Sequence, residues 1–276
     1  MQSARKPRRF PEQLGARARA CVLALAAGAW SCTSTVASPP PVVTPYSANI
    51  KKIVVEVDYA ADAVPYTGNA RFVRKQIPDI WEITRKNLER LAPGRSVTIP
   101  SELSQMEALD DVAGSTFTSE QIQEIAAKHR SQKTAGDTVS YYILYLNGVL
   151  KDDTGAERNE VLGVSIGDTG IIAIFKPVIA SSAPKSRDAL LKFMEQSTLT
   201  HELGHAVGFV NRHVPMVTPH QDTAHGAHCT SDKCVMYYQN EGPSAAIAFA
   251  SRLSEEDGEI LFGPECLADA DKAAAQ

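Results

Sequence analysis

His201, Glu202 and His205 stand in the stretch HELGHAVGFVNRH, residues 201 to 213, with the spacing H-E-x-x-H. On a helix the two histidines lie one turn apart on one face, so both imidazoles can reach a single metal ion. Glu202 sits beside the first of them, placed to take a proton from a water on the metal rather than to bind the metal itself. Zinc suits such a layout. It lowers the pKa of a water it holds to about 7, and a neighbouring carboxylate then makes that water a usable nucleophile. Two histidines do not complete the site, since catalytic zinc takes three protein ligands and keeps one position open. Candidates for the third crowd the next stretch: His213, His220, Asp222, His225 and His228, followed by Cys229, Cys234 and Met236. Taken singly, each spare histidine could be a solvated residue on a long loop. Asp222, two residues after His220, leaves room for a second ion.

Gly208 matches the glycine of the metzincin pattern H-E-x-x-H-x-x-G-x-x-H, whose last position is Asn211 here. Further on, HCTSDKCVM (228 to 236) reads H-C-x4-C-x-M and resembles the archaemetzincins, in which that histidine directly precedes the first cysteine. The block looks displaced by an insertion, residues 211 to 227. The resemblance spans His201 to Met236, 36 of 276 residues. It implies His228 as third zinc ligand beside His201 and His205, Glu202 as general base and Met236 as a methionine turn beneath the metal. It also implies a zinc metallopeptidase cleaving internal peptide bonds. The implied fold is α+β: a mixed twisted sheet packed on two long helices, the active-site helix followed by a long loop and the Met-turn. An edge strand of that sheet would line the substrate cleft. His225, His220 and His213 stay open as the third ligand, with Asn211 a remote fourth choice. The sequence departs from the family at Asn211, and in lacking a second C-x-x-C pair, with Cys266 alone downstream. Tyr238, two residues after Met236, stands where some metzincins carry a tyrosine that touches zinc; packing is its plainer role.

The elements that must position these residues can be read from pattern. Lys51 to Ala60 alternates and is rich in Val and Ile, as a strand does. Pro78 to Leu91 reads as a helix stopped by Ala92-Pro93-Gly94. Ser96 to Ile99 forms a short strand. Thr118 caps a helix with Gln121 three residues on. Val139 to Leu146 is apolar almost throughout, which predicts a central strand. After a polar loop, VLGVSIG and GIIAIFKP give two more strands. Ser186 is the expected cap of the helix carrying the motif. Ser254 to Phe262 could be another capped helix, and the last residues are small and polar enough to fray.

Composition is ordinarily globular, with 43% hydrophobic and 22% charged residues. Residues 1 to 31 read as a signal peptide: six basic residues against one acid, then the apolar run CVLALAAGAW (21 to 30). Ala29-Trp30-Ser31-Cys32 resembles a lipoprotein box, so Cys32 is the expected lipid anchor and the membrane is met only there. Export to the cell envelope follows, or secretion where the signal is removed by ordinary cleavage. Residues 32 to 48 form a Pro- and Ser-rich tether, 49 to 265 the catalytic domain and 266 to 276 a flexible tail. Without residues 1 to 31 the chain has 22 basic and 31 acidic residues, a net charge of −9, which offers no basic patch for nucleic acid. In an exported protein, a local disulfide between Cys229 and Cys234 is the simplest pairing, with a thiolate zinc pair as the competing one. Protein or peptide is the expected partner. The rival reading is a zinc-binding surface lipoprotein that does no catalysis, and against it stands Glu202, a carboxylate that mere binding does not need. Cleavage of an amide outside proteins is a further possibility within the same chemistry.

Overall fold

The computed structural model describes residues 42–72, 75–255 and 259–276. In chain order its strands are β1 (Lys52–Ala60), β2 (Ala70–Arg71), β3 (Gln76–Ile77), β4 (Ser96–Thr98), β5 (Glu107–Leu109) and β6 (Thr116–Phe117). They continue with β7 (Thr138–Leu146), β8 (Val149–Lys151), β9 (Glu157–Arg158), β10 (Gly163–Ile166) and β11 (Ile171–Phe175). The α-helices are α1 (Glu82–Leu91), α2 (Ser119–His129), α3 (Lys176–Ser182), α4 (Asp188–Val207), α5 (Pro243–Glu255) and α6 (Pro264–Ala274). The main sheet runs β10-β11-β7-β1-β4, with β5 also paired to β1. All its pairings are parallel except β10 on β11, which is antiparallel. The fold is therefore α+β with a central mixed sheet. Residues Pro41–Gln276 cluster as one unit, and no helix among the described residues is long and apolar enough to cross a membrane.

β7 lies in the middle of the sheet, as its apolarity predicts, with Val139 to Leu146 all buried. β1 alternates because it covers the core on one face more fully than on the other. At the β1–β7 junction, buried Asp58 accepts a hydrogen bond from the Tyr142 hydroxyl at 2.6 Å. Burial lifts the Asp58 carboxyl to about pKa 6.

α4 is the axis of the site. Only Asp188, Ala189, Lys192 and Ala206 of its twenty residues keep appreciable exposure, so its register is fixed on nearly every side. On α4, Thr84 of α1 donates to Gln196 Oε1 at 2.6 Å. Glu195, wholly buried, meets the Lys176 ammonium and accepts from the Tyr66 backbone N–H at 2.7 Å. A buried carboxylate is tolerable only with partners of this kind.

Three sequence expectations are corrected. Arg187, not Ser186, occupies the N-cap of α4, with no side-chain cap bond, because a 3-10 turn over Lys185–Arg187 leads straight into the helix. The late helix is α5, earlier than expected; Pro243 starts it, and residues 259–262 are not helical. Residues 266 to 276 are not a flexible tail: Pro264–Ala274 is helix α6, with Cys266, Asp269, Ala270 and Ala273 buried. Arg90 on α1 grips Asp271 of α6 through two bonds of 2.6 and 2.9 Å. By contrast Thr118 and Gln121 do form the expected reciprocal cap of α2. The signal and lipid-anchor expectations, including Cys32, lie outside the described residues.

Candidate metal centre

His201 and His205 sit on the last two turns of α4, where the helix stops at Gly208. This glycine adopts φ +105° and donates back to the Gly204 and His205 carbonyls, a left-handed stop that glycine takes without steric cost. Val210 and Asn211 follow with φ of 47° and 62°, so the chain leaves the helix through a tight, partly strained turn. Asn211 ends up exposed and hydrogen-bonded to Gln221 at 3.1 Å.

The insertion does not carry His228 away. Residues 220 to 222 pair back along 228 to 230: Asp222 N donates to the His228 carbonyl at 2.7 Å and Thr230 N to the His220 carbonyl at 2.9 Å. On its other side, Cys229 N donates to the Met236 carbonyl at 2.7 Å. Held between these two segments, His228 brings its Nε2 to 3.2 Å from His205 Nε2, which lies 3.1 Å from His201 Nε2. The three nitrogens and a carboxylate oxygen of Glu241 all lie within 4.8 Å of one another. Around a zinc ion with bonds of about 2.0–2.1 Å, tetrahedral donors stand roughly 3.3 Å apart. The nitrogen separations fit.

The other ring nitrogens prepare the site. His201 Nδ1 donates to the Val235 carbonyl at 2.6 Å and His228 Nδ1 to the His225 carbonyl at 2.5 Å. Both bonds leave Nε2 as the free lone pair, the tautomer a metal requires. Burial pushes His201 down to about pKa 4 and His205 well below the usual imidazole range, so both are neutral at physiological pH. For His228, burial is outweighed by the Glu241 carboxylate and the His225 carbonyl, which hold it above its ordinary value.

Glu202 stands outside this donor group. Buried, it packs on Gly163 of β10, where a Cβ would come within 3.1 Å of Glu202 Cγ, and it takes a backbone hydrogen bond from Ser165. Burial, helped by the nearby Glu241 charge, raises its carboxyl well above the ordinary range. β10 is the edge of the sheet on this side. Met236, fully buried, lies under the histidine turn, with its sulfur 2.3 Å from where a Cβ on Gly204 would sit. Tyr238 stacks on His225, ring centroids 3.6 Å apart.

The remaining histidines have their own partners. His213 meets Asp168 at 2.8 Å, and His225 meets Asp222 at 2.7 Å. His220 belongs to a second buried cluster. Its Nε2 faces Asp269 Oδ2 at 2.7 Å while Nδ1 lies 3.4 Å from Cys229 Sγ. Cys234 Sγ is 3.6 Å from Cys266 Sγ and accepts from Gly263 N–H at 3.1 Å. Cys229, Cys234 and Cys266 are all free cysteines, so the expected Cys229–Cys234 disulfide is not formed; the Cys229 thiol hydrogen-bonds with both Cys234 and Cys266, and the three make one cluster. His220, Cys229 and Cys266 could hold a metal ion. Thiolate ligands at about 2.3 Å from zinc would stand roughly 3.8 Å apart. Sequence reasoning passed over Glu241 and Asp269; neither falls at a motif spacing, and only the fold brings them in.

No family model matches the chain, and no curated protein matches it. Among solved structures, the chain is similar to an archaemetzincin from Methanopyrus kandleri, at 15% identity and a TM-score of 0.44, over 83% of this chain and 98% of that one.

Proposed function

We propose that this chain is a zinc-dependent peptidase. The observation that carries the reading is the convergence of three Nε2 atoms, from His201, His205 and His228, with Glu202 beside them but outside the donor set. Zinc there would supply Lewis acidity and lower the pKa of a water it holds to about 7. The three imidazoles would hold the ion through their Nε2 atoms. Glu202 takes the proton of the attacking water and returns it to the leaving amine. Edge strand β10 offers unpaired backbone groups along which an extended peptide can lie, next to Glu202. Cleavage of internal bonds is what the metzincin resemblance implies. Export and anchoring at Cys32 rest on the sequence of the first 32 residues.

A second reading, a closed zinc-binding module, draws support from Glu241, a fourth donor where a catalytic site needs an opening. Digestion of a mixed peptide library by the zinc-loaded protein, beside its Glu202→Gln variant, separates the two. The peptidase reading expects products from the first, and a rate lower by a factor of about 10²–10⁴ in the second, at equal zinc content. Zinc bound by both with cleavage by neither would favour the closed module. Equal cleavage by both would remove Glu202 from the chemistry and sink the mechanism.

A further inference from the structure

We propose that Glu241 is a fourth, displaceable protein ligand of the metal held by His201, His205 and His228, so that the resting site is closed and substrate opens it. The proposal rests on the zinc site assigned above. Its opening half also rests on the peptidase reading.

Glu241 Oε1 lies 3.0 Å from His228 Nε2 and 3.9 Å from His201 Nε2. These separations bracket the roughly 3.3 Å expected between tetrahedral zinc donors, and carboxylate oxygen is an ordinary zinc ligand. The backbone beneath it is fixed to the same support as the histidines. Neighbouring Asn240 donates to the Val235 carbonyl at 3.0 Å, the carbonyl that also accepts from His201 Nδ1. The Glu241 carbonyl in turn accepts from Leu162 N at 3.3 Å. A carboxylate delivered this way arrives at the donor set by construction of the loop.

The side chain itself is not locked. Glu241 keeps 46% of its side-chain exposure, whereas His201 has 1%. It borders a cavity of about 410 Å³ shared with Arg158, Glu160, Tyr238 and Pro243. Rotation into that cavity would bring the carboxylate toward Arg158, whose positive charge already acts on it although its guanidinium also pairs with Glu160 at 2.6 Å. The ligand exchange needs no redox partner. The carboxylate oxygen leaves, and the carbonyl oxygen of the substrate or a water takes its place.

The competing account makes Glu241 only an ion-pair partner of His228 with no part in metal binding. Full-length protein loaded with cobalt(II) or zinc decides between them, using wild type, Glu241→Gln and Glu241→Ala. The far-ultraviolet spectrum of each metal-free variant checks that it folds. As a ligand, Glu241 gives a loss of at least about tenfold in zinc affinity by chelator competition on its removal, and a weaker visible absorption of the cobalt form. Unchanged affinity and an unchanged cobalt spectrum in both variants overturn the proposal, whatever the peptidase assay shows. In that assay Glu241→Ala at saturating zinc should raise kcat/KM on short peptides severalfold; an unchanged or lower value overturns the closed resting state. Lower affinity with no cleavage by wild type or variant would leave the fourth ligand standing and tell against the peptidase reading.

Discussion

Glu202 and Glu241 are two carboxylates in one small field, and their surroundings give them opposite roles. Glu202 is buried on β10 and prefers its proton, whereas His228 and His201 pull the Glu241 carboxyl below its usual value. The motif made Glu202 legible in sequence, and the H-C-x4-C-x-M block singled out His228. Glu241 was not legible, because its approach depends on a 3-10 turn over Tyr238–Glu241. Away from the site, Asp58 gives a clean test of buried charge. Its folded pKa of about 6 exceeds the ordinary 3.8, chiefly through burial and despite the Tyr142 hydrogen bond. The folded state therefore binds more protons than the unfolded state between those values, and stability from this group is full below about pH 4 and lost as pH rises through 6. Asp58→Asn keeps an acceptor for Tyr142 without the charge. Melting curves from pH 4 to 7 should show the variant gaining steadily on wild type; parallel curves would mean that Asp58 is not perturbed.

At the scale of elements, the site depends on how closely α4 approaches its neighbours. Gly204 lets the Met236 sulfur sit directly under the helix, and Gly163 lets β10 close on Thr198 and Glu202. Gly204→Ala forces a contact that cannot be made, and should cost about 1–3 kcal/mol with a matching fall in Tm. A variant as stable as wild type would show that the Met236 turn shifts freely. Gly163→Ala tests the other face: its Cβ meets Thr198, Glu202 and Ile174 at 3.0 to 3.1 Å, and the expected outcome is loss of peptide cleavage larger than loss of stability. The strands of the main sheet other than β5 were legible, the long apolar runs most clearly, whereas the two- and three-residue strands β2, β3, β5, β6, β8 and β9 were not. Nor was the end of the chain. α6 is made mostly of small and charged residues, with Cys266, Leu267, Ala270 and Ala273 as its apolar side, and tertiary partners such as Arg90 help fix it. Ser186 misled for a related reason: a good capping residue is redundant where a 3-10 turn already feeds the helix.

Across the whole molecule, the sheet supplies a fixed wall and the long loop after Gly208 supplies the third imidazole and the second cluster. The centrality of β7 followed from its apolar run, and the α+β class from the metzincin resemblance of the motif region. The folding back of residues 211 to 227 did not, since it is built from isolated bridges at Gln221, Cys229 and Tyr237. A metal held by His201, His205 and His228 would tie that loop to α4. Zinc at a thousandfold excess over its dissociation constant should stabilise the fold by about 4 kcal/mol, so chelation should lower Tm; a Tm indifferent to zinc would mean that the three imidazoles hold no ion.

His228 and Cys229 are consecutive residues, yet one faces the histidine centre and the other the cysteine cluster. Alternation along an extended segment produces this. The two centres are then coupled by a single peptide unit, and by linkage whatever orders one lowers the entropic cost of ordering the other. Cys266→Ser, which touches no histidine of the first centre, should weaken zinc binding there in chelator competition. Mild oxidation that draws Cys234 and Cys266 into a disulfide, by displacing Cys229 from its neighbours, would reach the same imidazole by the same route. The backbone at this point joins the cysteine cluster to the histidine centre through two adjacent side chains.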